Sequence, residues 1–167
     1  MTQWPAAHGS REGAAVRAAQ RDHARIRQSL ADHVEALLLA VEEEPDAVAE
    51  LRLRLVSLCE TVLLPHAEAE ERSIYPAAAT DGRTRLLLEA MVEEHRTIAE
   101  LVSVVKHAVH PIRAAAAAEA LRVLVETHLA KEDTIVFPLV AAAPGLSLET
   151  LVAGMHDLLS TDAGPAR

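Results

Sequence analysis

Aromatic side chains are nearly missing from this chain of 167 residues, since Phe, Tyr and Trp together make up 2% of it. Cysteine occurs once, as Cys59, which excludes an internal disulfide and is typical of the reducing cytoplasm. Glycine is also scarce, and no run of β-branched residues alternates with polar ones, so strands are not expected. No uncharged apolar run reaches the ~18 residues that cross a bilayer, which argues against a membrane span.

Basic residues are also few, because 16 Lys and Arg stand against 25 Asp and Glu, for a formal net charge of −9. An acidic chain is a poor match for phosphates, which argues against nucleic acid or an anionic membrane as the main partner. The first residues, MTQWPAAHGSREG, lack the apolar middle of a signal peptide. We therefore expect a cytoplasmic protein in which residues 1–11 form a flexible N-terminal tail.

Alanine and leucine dominate the chain, and both residues favour helices. Apolar residues recur at helical spacing, for example at Leu51, Leu55 and Leu58. Prolines and glycines divide the chain into segments. These signals predict four long helices and one short helix, over about residues 12–43, 45–75, 83–110, 111–138 and 148–160.

The predicted connections are short, so sequential helices should be antiparallel neighbours. The predicted fold class is all-α, an up-down-up-down four-helix bundle over residues 12–143. Residues 144–167 are expected to form a short C-terminal fifth helix and a tail.

The polar residues contain an internal repeat with an offset of 62 residues. The stretch HAEAEERSIYP, which begins at His66, aligns with HLAKEDTIVFP, which begins at His128. The pairs that share the offset are His33 and His95, His66 and His128, Glu70 and Glu132, and Pro76 and Pro138.

In each half of the repeat a histidine is followed four residues later by a glutamate. Positions i and i+4 lie on one face of a helix, so both side chains should point the same way. Two such faces and two single histidines can converge on the bundle axis. Burying six such groups without partners is costly, so the pattern predicts two metal ions. Imidazole and carboxylate ligands suit iron, manganese or zinc.

These stretches, each ending in an aromatic residue and proline, resemble the motifs of the hemerythrin-like HHE cation-binding family. The segments LADHVEAL and EEHRTI resemble the histidine-bearing first and third helices of that family. The resemblance covers about residues 20–140 and implies a four-helix bundle with two non-haem iron ions, manganese or zinc being alternatives. The predicted metal ligands are His33, His66, Glu70, His95, His128, Glu132 and His156.

Three of these positions leave alternatives open. His23 can replace His33 as the ligand from the first helix. Asp133 can replace Glu132, because oxygen-carrying members use a histidine followed five residues later by aspartate, although the repeat favours Glu132. His156 is included because Ala99 stands where oxygen carriers have a further histidine, and a surface position for His156 is the alternative.

The resemblance implies oxygen binding, storage, sensing or peroxide-related chemistry. The leading hypothesis is a protein that binds or reacts with a small ligand, namely dioxygen, peroxide or nitric oxide, in the bundle core. One alternative is a non-catalytic sensor of metal, oxygen or redox state that acts through a protein partner. Another is a structural zinc site. Tyr75 is the nearest candidate for a proton donor.

Overall fold

The computed structural model describes the backbone of residues 6–79 and 82–162, and the side chains within them except at 6–10, 156 and 158–162. Within those ranges the chain is helical and has no strand, which confirms the predicted all-α class. The helices are α1 (Ala6–Glu43), α2 (Val48–Leu58), α3 (Leu64–Arg72), α4 (Ile74–Ala78), α5 (Gly82–His107), α6 (Pro111–Lys131), α7 (Phe137–Ala142) and α8 (Leu148–Asp162).

These helices form four columns and a closing segment. The first column is α1, the second combines α2 to α4, the third is α5, and the fourth combines α6 and α7. Consecutive columns pack against each other, and α1 also packs against α6, which closes the bundle. The first column begins at Ala6, six residues before the predicted start of the first helix.

Two turns between columns follow from local residue chemistry. A 3₁₀ turn at Pro45–Ala47 opens the second column, with proline in the first position, where its missing N–H costs nothing. Gly145 lies between α7 and α8 with φ of +82°, a conformation that glycine adopts without a Cβ clash. Both turns stand where prolines and glycines predicted a break.

Two π-helical turns interrupt the second and fourth columns, at Cys59–Leu63 and Glu132–Val136. The N–H of Leu64 bonds the carbonyl of Cys59, five residues back, directly before Pro65, which has no N–H to donate. The same pattern precedes Pro138, where the N–H of Phe137 bonds Glu132. A π turn holds one extra residue, so it rotates the side chains that follow it relative to those before.

Apolar residues form two separate cores. The lower core, at the end of the bundle near Pro45, includes Leu30, Val34, Leu37, Leu55, Leu121 and Val125. The upper core, at the end near α8, includes Ile74, Met91, Phe137, Leu148, Val152 and Met155. In the first column Ala19 belongs to the upper core and Ile26 to the lower, so the residues between them form a layer that separates the two cores.

Helix α8 covers the upper end of the bundle, where it packs against α1, α3, α4 and α7. The backbone N–H of Leu148, in its first turn, donates to the buried carboxylate of Glu12 at 2.7 Å. Leu148, Val152 and Met155 are all buried beneath the helix. The predicted short fifth helix is therefore present and closes the core above the central layer. No helix in the described ranges is long and apolar enough to span a membrane.

Replacing Leu148 by alanine should destabilise the protein, because this fully buried side chain fills the space between α8 and the upper core. We expect Leu148→Ala to lower the free energy of unfolding by about 2–5 kcal/mol. Leu53→Ala is the matched control, since that leucine is 67% exposed and its loss should change stability by less than about 0.5 kcal/mol. Urea unfolding measures both, and equal effects would contradict the packing of α8.

Candidate metal centre

The layer between the two cores holds a buried cluster of histidines and glutamates from all four columns. Each member is at most 5% exposed. The members are His23, His66, Glu70, His95, His128 and Glu132. Five of these six belong to the predicted ligand set, so the structure brings together the residues that the repeat singled out in the second, third and fourth columns.

The cluster divides into two groups that could each hold a cation. In one group, ligand atoms of Glu70, His95, His128 and Glu132 lie within 4.8 Å of one another. In the other group, ligand atoms of His23, His66 and Glu70 lie within 4.8 Å of one another, so Glu70 belongs to both groups. The two groups thus form one site with two adjacent positions.

Both glutamates reach both groups with different oxygens. Glu70 Oε1 lies 3.2 Å from His66 Nε2 and 3.4 Å from His23 Nε2, while Glu70 Oε2 lies 3.7 Å from His95 Nε2. Glu132 Oε1 lies 3.7 Å from His128 Nε2, and Glu132 Oε2 lies 3.7 Å from His23 Nε2. This is the arrangement of two carboxylates that can bridge a pair of cations.

The donor atoms of the cluster are not satisfied by the protein itself. Five buried atoms have no hydrogen-bond partner among the described residues: His23 Nε2, His66 Nε2, both oxygens of Glu70, and Glu132 Oε2. Buried polar atoms without partners are costly and uncommon in folded proteins. Because all five point into one layer and are nitrogen or oxygen donors, the residues fit two divalent cations.

The first column supplies His23 to this cluster, whereas the prediction placed His33 there. The ring of His33 is only partly buried, and its Nδ1 donates to the carbonyl oxygen of Ser29 at 2.8 Å. His23 was the alternative, and its ring is fully buried against the rings of His66 and Phe137. The sequence repeat therefore identified the wrong histidine of the first column as the cluster member.

The distance of each residue from the turn, measured along the antiparallel helices, explains this error. His66 lies 21 residues after Pro45, and His23 lies 21 residues before Glu44, so the two are level across the turn. His33 is ten residues nearer the turn, which is about 15 Å along the helix axis. Counting back from the turn, a signal present in the sequence, would have selected His23.

The structure also separates the roles of Glu132 and Asp133. Glu132 is fully buried in the cluster, in agreement with its predicted position. Asp133 lies outside it and accepts hydrogen bonds from His23 Nδ1 at 2.9 Å and Arg27 Nη2 at 2.7 Å. The π turn that begins at Glu132 contains both residues.

Cys59 is a possible sulfur ligand that lies outside the cluster, whereas the side chain of His156 is not among the described residues. Cys59 is buried in the lower core, and burial, aided by the charge of Glu60, raises the pKa of its thiol to about 12. It belongs to neither cation group in the described part of the chain. His156 lies on α8, but its side chain is outside the described residues, so its proposed ligation stays a prediction.

Tyr75 is a buried side chain beside the cluster, and its hydroxyl is a proton donor. Its hydroxyl donates to Glu132 Oε1 at 2.6 Å and lies 3.4 Å from His128 Nε2 and 3.5 Å from His95 Nε2. Its ring stacks on His95, with centroids 5.5 Å apart. Burial and the charges of Glu132 and Glu70 raise the pKa of Tyr75, so the phenol keeps its proton.

The cation-free cluster distributes its protons unequally. Burial alone would raise the pKa of Glu70, but the charges of His66 and His23 lower it far below its usual range. Burial and the charge of Glu70 raise the pKa of Glu132 instead. Burial would lower the pKa of His23, but Asp133 and Glu70 outweigh it and raise this pKa to about 10. Burial and the charge of His95 lower the pKa of His128 to about 4.

These shifts predict that cation binding strengthens as the pH rises. A pKa of about 10 means that His23 carries a proton throughout the neutral range, and this proton has to leave before Nε2 can bind a cation. For each proton released, the apparent affinity should rise by about tenfold per pH unit below that pKa. Competition titrations of the cation-free protein with Co²⁺ between about pH 6.5 and 8.5 would measure the slope.

The variant His33→Ala is the control for this slope, because His33 lies outside the cluster. It should show the same pH dependence as the unaltered protein. An affinity that stays constant with pH would contradict the assigned protonation of His23.

Comparison with known proteins agrees with this geometry. The family model described as Hemerythrin HHE cation binding domain matches residues 14–140. All six members of the buried cluster fall inside the matched range, and α8 falls outside it. Neither the curated proteins nor the solved structures give a match.

Proposed function

Because this chain belongs to the hemerythrin HHE cation-binding domain family, we propose that its buried cluster holds two iron ions that bind or react with a small ligand. The observation that carries the proposal is the set of five unpartnered donor atoms facing one layer. His23 and His66 would hold one ion, and His95 and His128 the other. Glu70 and Glu132 would bridge them, with manganese or zinc as alternative metals.

This ligand set leaves coordination positions for an added molecule. Two histidines and the two shared carboxylates would offer each ion about four protein donors, fewer than the six ligands that iron commonly accepts. When bound, the iron pair supplies redox chemistry and an open position for dioxygen, peroxide or nitric oxide. Sites that keep an open position are typical of reactive rather than structural metal centres.

The chain's own residues would supply apolar surroundings and a proton. Ile98 and Leu129 of the lower core and Met91 and Val136 of the upper core each lie within four residues of a cluster member on the same column, so apolar side chains flank the layer on both sides. Such surroundings admit small neutral molecules more readily than polar metabolites. Tyr75 holds its proton at the phenolic oxygen, within hydrogen-bond distance of Glu132, where a molecule bound beside His95 and His128 could receive it.

Metal content tests which histidine of the first column belongs to the site. We expect about two metal ions per chain in the unaltered protein, since two overlapping donor groups are present. His23→Ala should lose at least one ion, because it removes a donor from the His66 group. His33→Ala is the matched control on the same helix and should keep both, as its ring bonds Ser29 instead. Elemental analysis of the purified variants decides, and the reverse result would contradict the site.

Ligand binding tests the proposed reactivity. Azide added to the ferric protein should produce a new visible absorption band, and nitric oxide should change the spectrum of the ferrous protein, because both need an open coordination position. Silence in both experiments with iron confirmed present would contradict a reactive site and favour the sensor or structural hypothesis. A spectroscopically silent protein that contains zinc would favour the structural one.

The variant Tyr75→Phe separates binding from proton delivery in the same experiments. It should keep the azide band while slowing the reaction of the ferrous protein with peroxide by about 10²-fold, since proton transfer by a placed side chain commonly contributes at least that much. Stopped-flow absorption measures the rate. An unchanged rate would remove Tyr75 from the mechanism and leave the metal site intact.

A further inference from the structure

Three histidines of the cluster are hydrogen-bonded to carboxylates that lie outside the cluster. In each case Nδ1, the ring nitrogen that faces away from the cluster, is 2.8–2.9 Å from a carboxylate oxygen. The pairs are His23 with Asp133, His95 with Glu71, and His128 with Glu94. An ionised carboxylate can accept hydrogen bonds but has no proton to donate, so each Nδ1 is the donor.

These outer carboxylates follow a regular pattern in the chain. Each is the immediate neighbour of a cluster residue: Glu71 follows Glu70, Glu94 precedes His95, and Asp133 follows Glu132. Each nevertheless bonds a histidine of a different column. A carboxylate of the second column accepts from a histidine of the third, one of the third from the fourth, and one of the fourth from the first. The hydrogen bonds therefore follow one direction around the bundle.

A hydrogen bond at Nδ1 has two consequences for the opposite nitrogen. It fixes the tautomer and the ring orientation, so that the lone pair of Nε2 points into the cluster. The negative charge also makes the imidazole a stronger donor to a cation. The unpartnered Nε2 of His23, buried opposite its bond to Asp133, faces the cluster in this way, and loss of its proton frees the lone pair there.

Two of the three carboxylates are themselves anchored by cations nearer the surface. Asp133 accepts from Arg27 at 2.7 Å, and Glu94 is paired with Lys131. Asp133 is 10% exposed and Glu94 is 27% exposed, so each chain of contacts runs from the surface to a cluster histidine. Such anchoring restricts the rotamers of the carboxylates and thereby those of the imidazoles.

We propose that Glu71, Glu94 and Asp133 are positioning residues that aim the cluster histidines and set the affinity and reduction potential of each cation position separately. The proposal rests on the two-metal function proposed above. Asp133 acts on the position of His23 and His66, whereas Glu71 and Glu94 act on the position of His95 and His128. Neighbouring surface glutamates that touch no histidine have no such effect.

The test compares Glu94→Gln with Glu93→Gln, an adjacent residue on the same helix that is 67% exposed and paired with Arg96. Co²⁺ is titrated into the metal-free protein and followed by visible absorption. We expect Glu94→Gln to bind one of two Co²⁺ ions about 10–100-fold more weakly, the effect typical of lost outer hydrogen bonds to ligands. Glu93→Gln should match the unaltered protein.

A second measurement distinguishes tuning from a loss of structure. In the iron-loaded protein Glu94→Gln should raise the midpoint potential, because the ferric state loses the support of a nearby negative charge. Thermal melting of the metal-free variants reports any folding defect. Equal Co²⁺ affinity and equal potential in Glu94→Gln and Glu93→Gln would overturn the proposal.

Asp133→Asn carries the same test for the other position and does not depend on how Glu94→Gln folds. It should weaken the binding of the Co²⁺ ion whose affinity Glu94→Gln leaves unchanged, and the double variant should weaken the binding of both ions. Complete loss of one ion in Asp133→Asn alone would make Asp133 a ligand and overturn its assignment. If the unaltered protein binds no Co²⁺ or iron, the proposed function itself fails, a result distinct from failure of the positioning residues.

Discussion

Six ionisable side chains buried in one layer of a helical bundle are the constraint on which the rest of this structure depends. Four imidazoles and two carboxylates at this depth would be expelled or neutralised in an ordinary core. The fold tolerates them because burial of the apolar cores above and below stabilises the bundle, while the charges in the layer between are compensated within that layer. The same separation leaves donor atoms unpartnered and close enough to share cations.

The sequence predicts the helices and most of this layer because both depend on local periodicity. Helical spacing and proline positions indicated the columns, and the His-x-x-x-Glu pairs indicated His66, Glu70, His128 and Glu132. The repeat failed at His33 because an offset along the chain does not measure height along an antiparallel bundle. Height is set by the turn at Pro45, and it selects His23.

The contacts between columns could not be predicted in the same way. The position of Glu71 on its own helix gives no information on what it contacts in a neighbouring column. Its contact with His95 depends on how the second and third columns pack. Asp133 likewise bonds His23 while the adjacent Glu132 lies in the cluster, as Glu71 bonds His95 beside Glu70. Neighbouring side chains on a helix point about 100° apart, so consecutive carboxylates reach different columns.

The cation-free cluster compensates its charges by placing protons unequally. Glu70 keeps its negative charge beside a protonated His23, whereas burial and the charge of Glu70 raise the pKa of Glu132, and burial lowers the pKa of His128 to about 4. Tyr75 contributes its hydroxyl to Glu132 without ionising. Five donor atoms of the cluster nevertheless have no hydrogen-bond partner among the described residues. A cation bound there would replace protons and contact these donor atoms together, so occupancy of the site and stability of the fold are coupled through the same atoms.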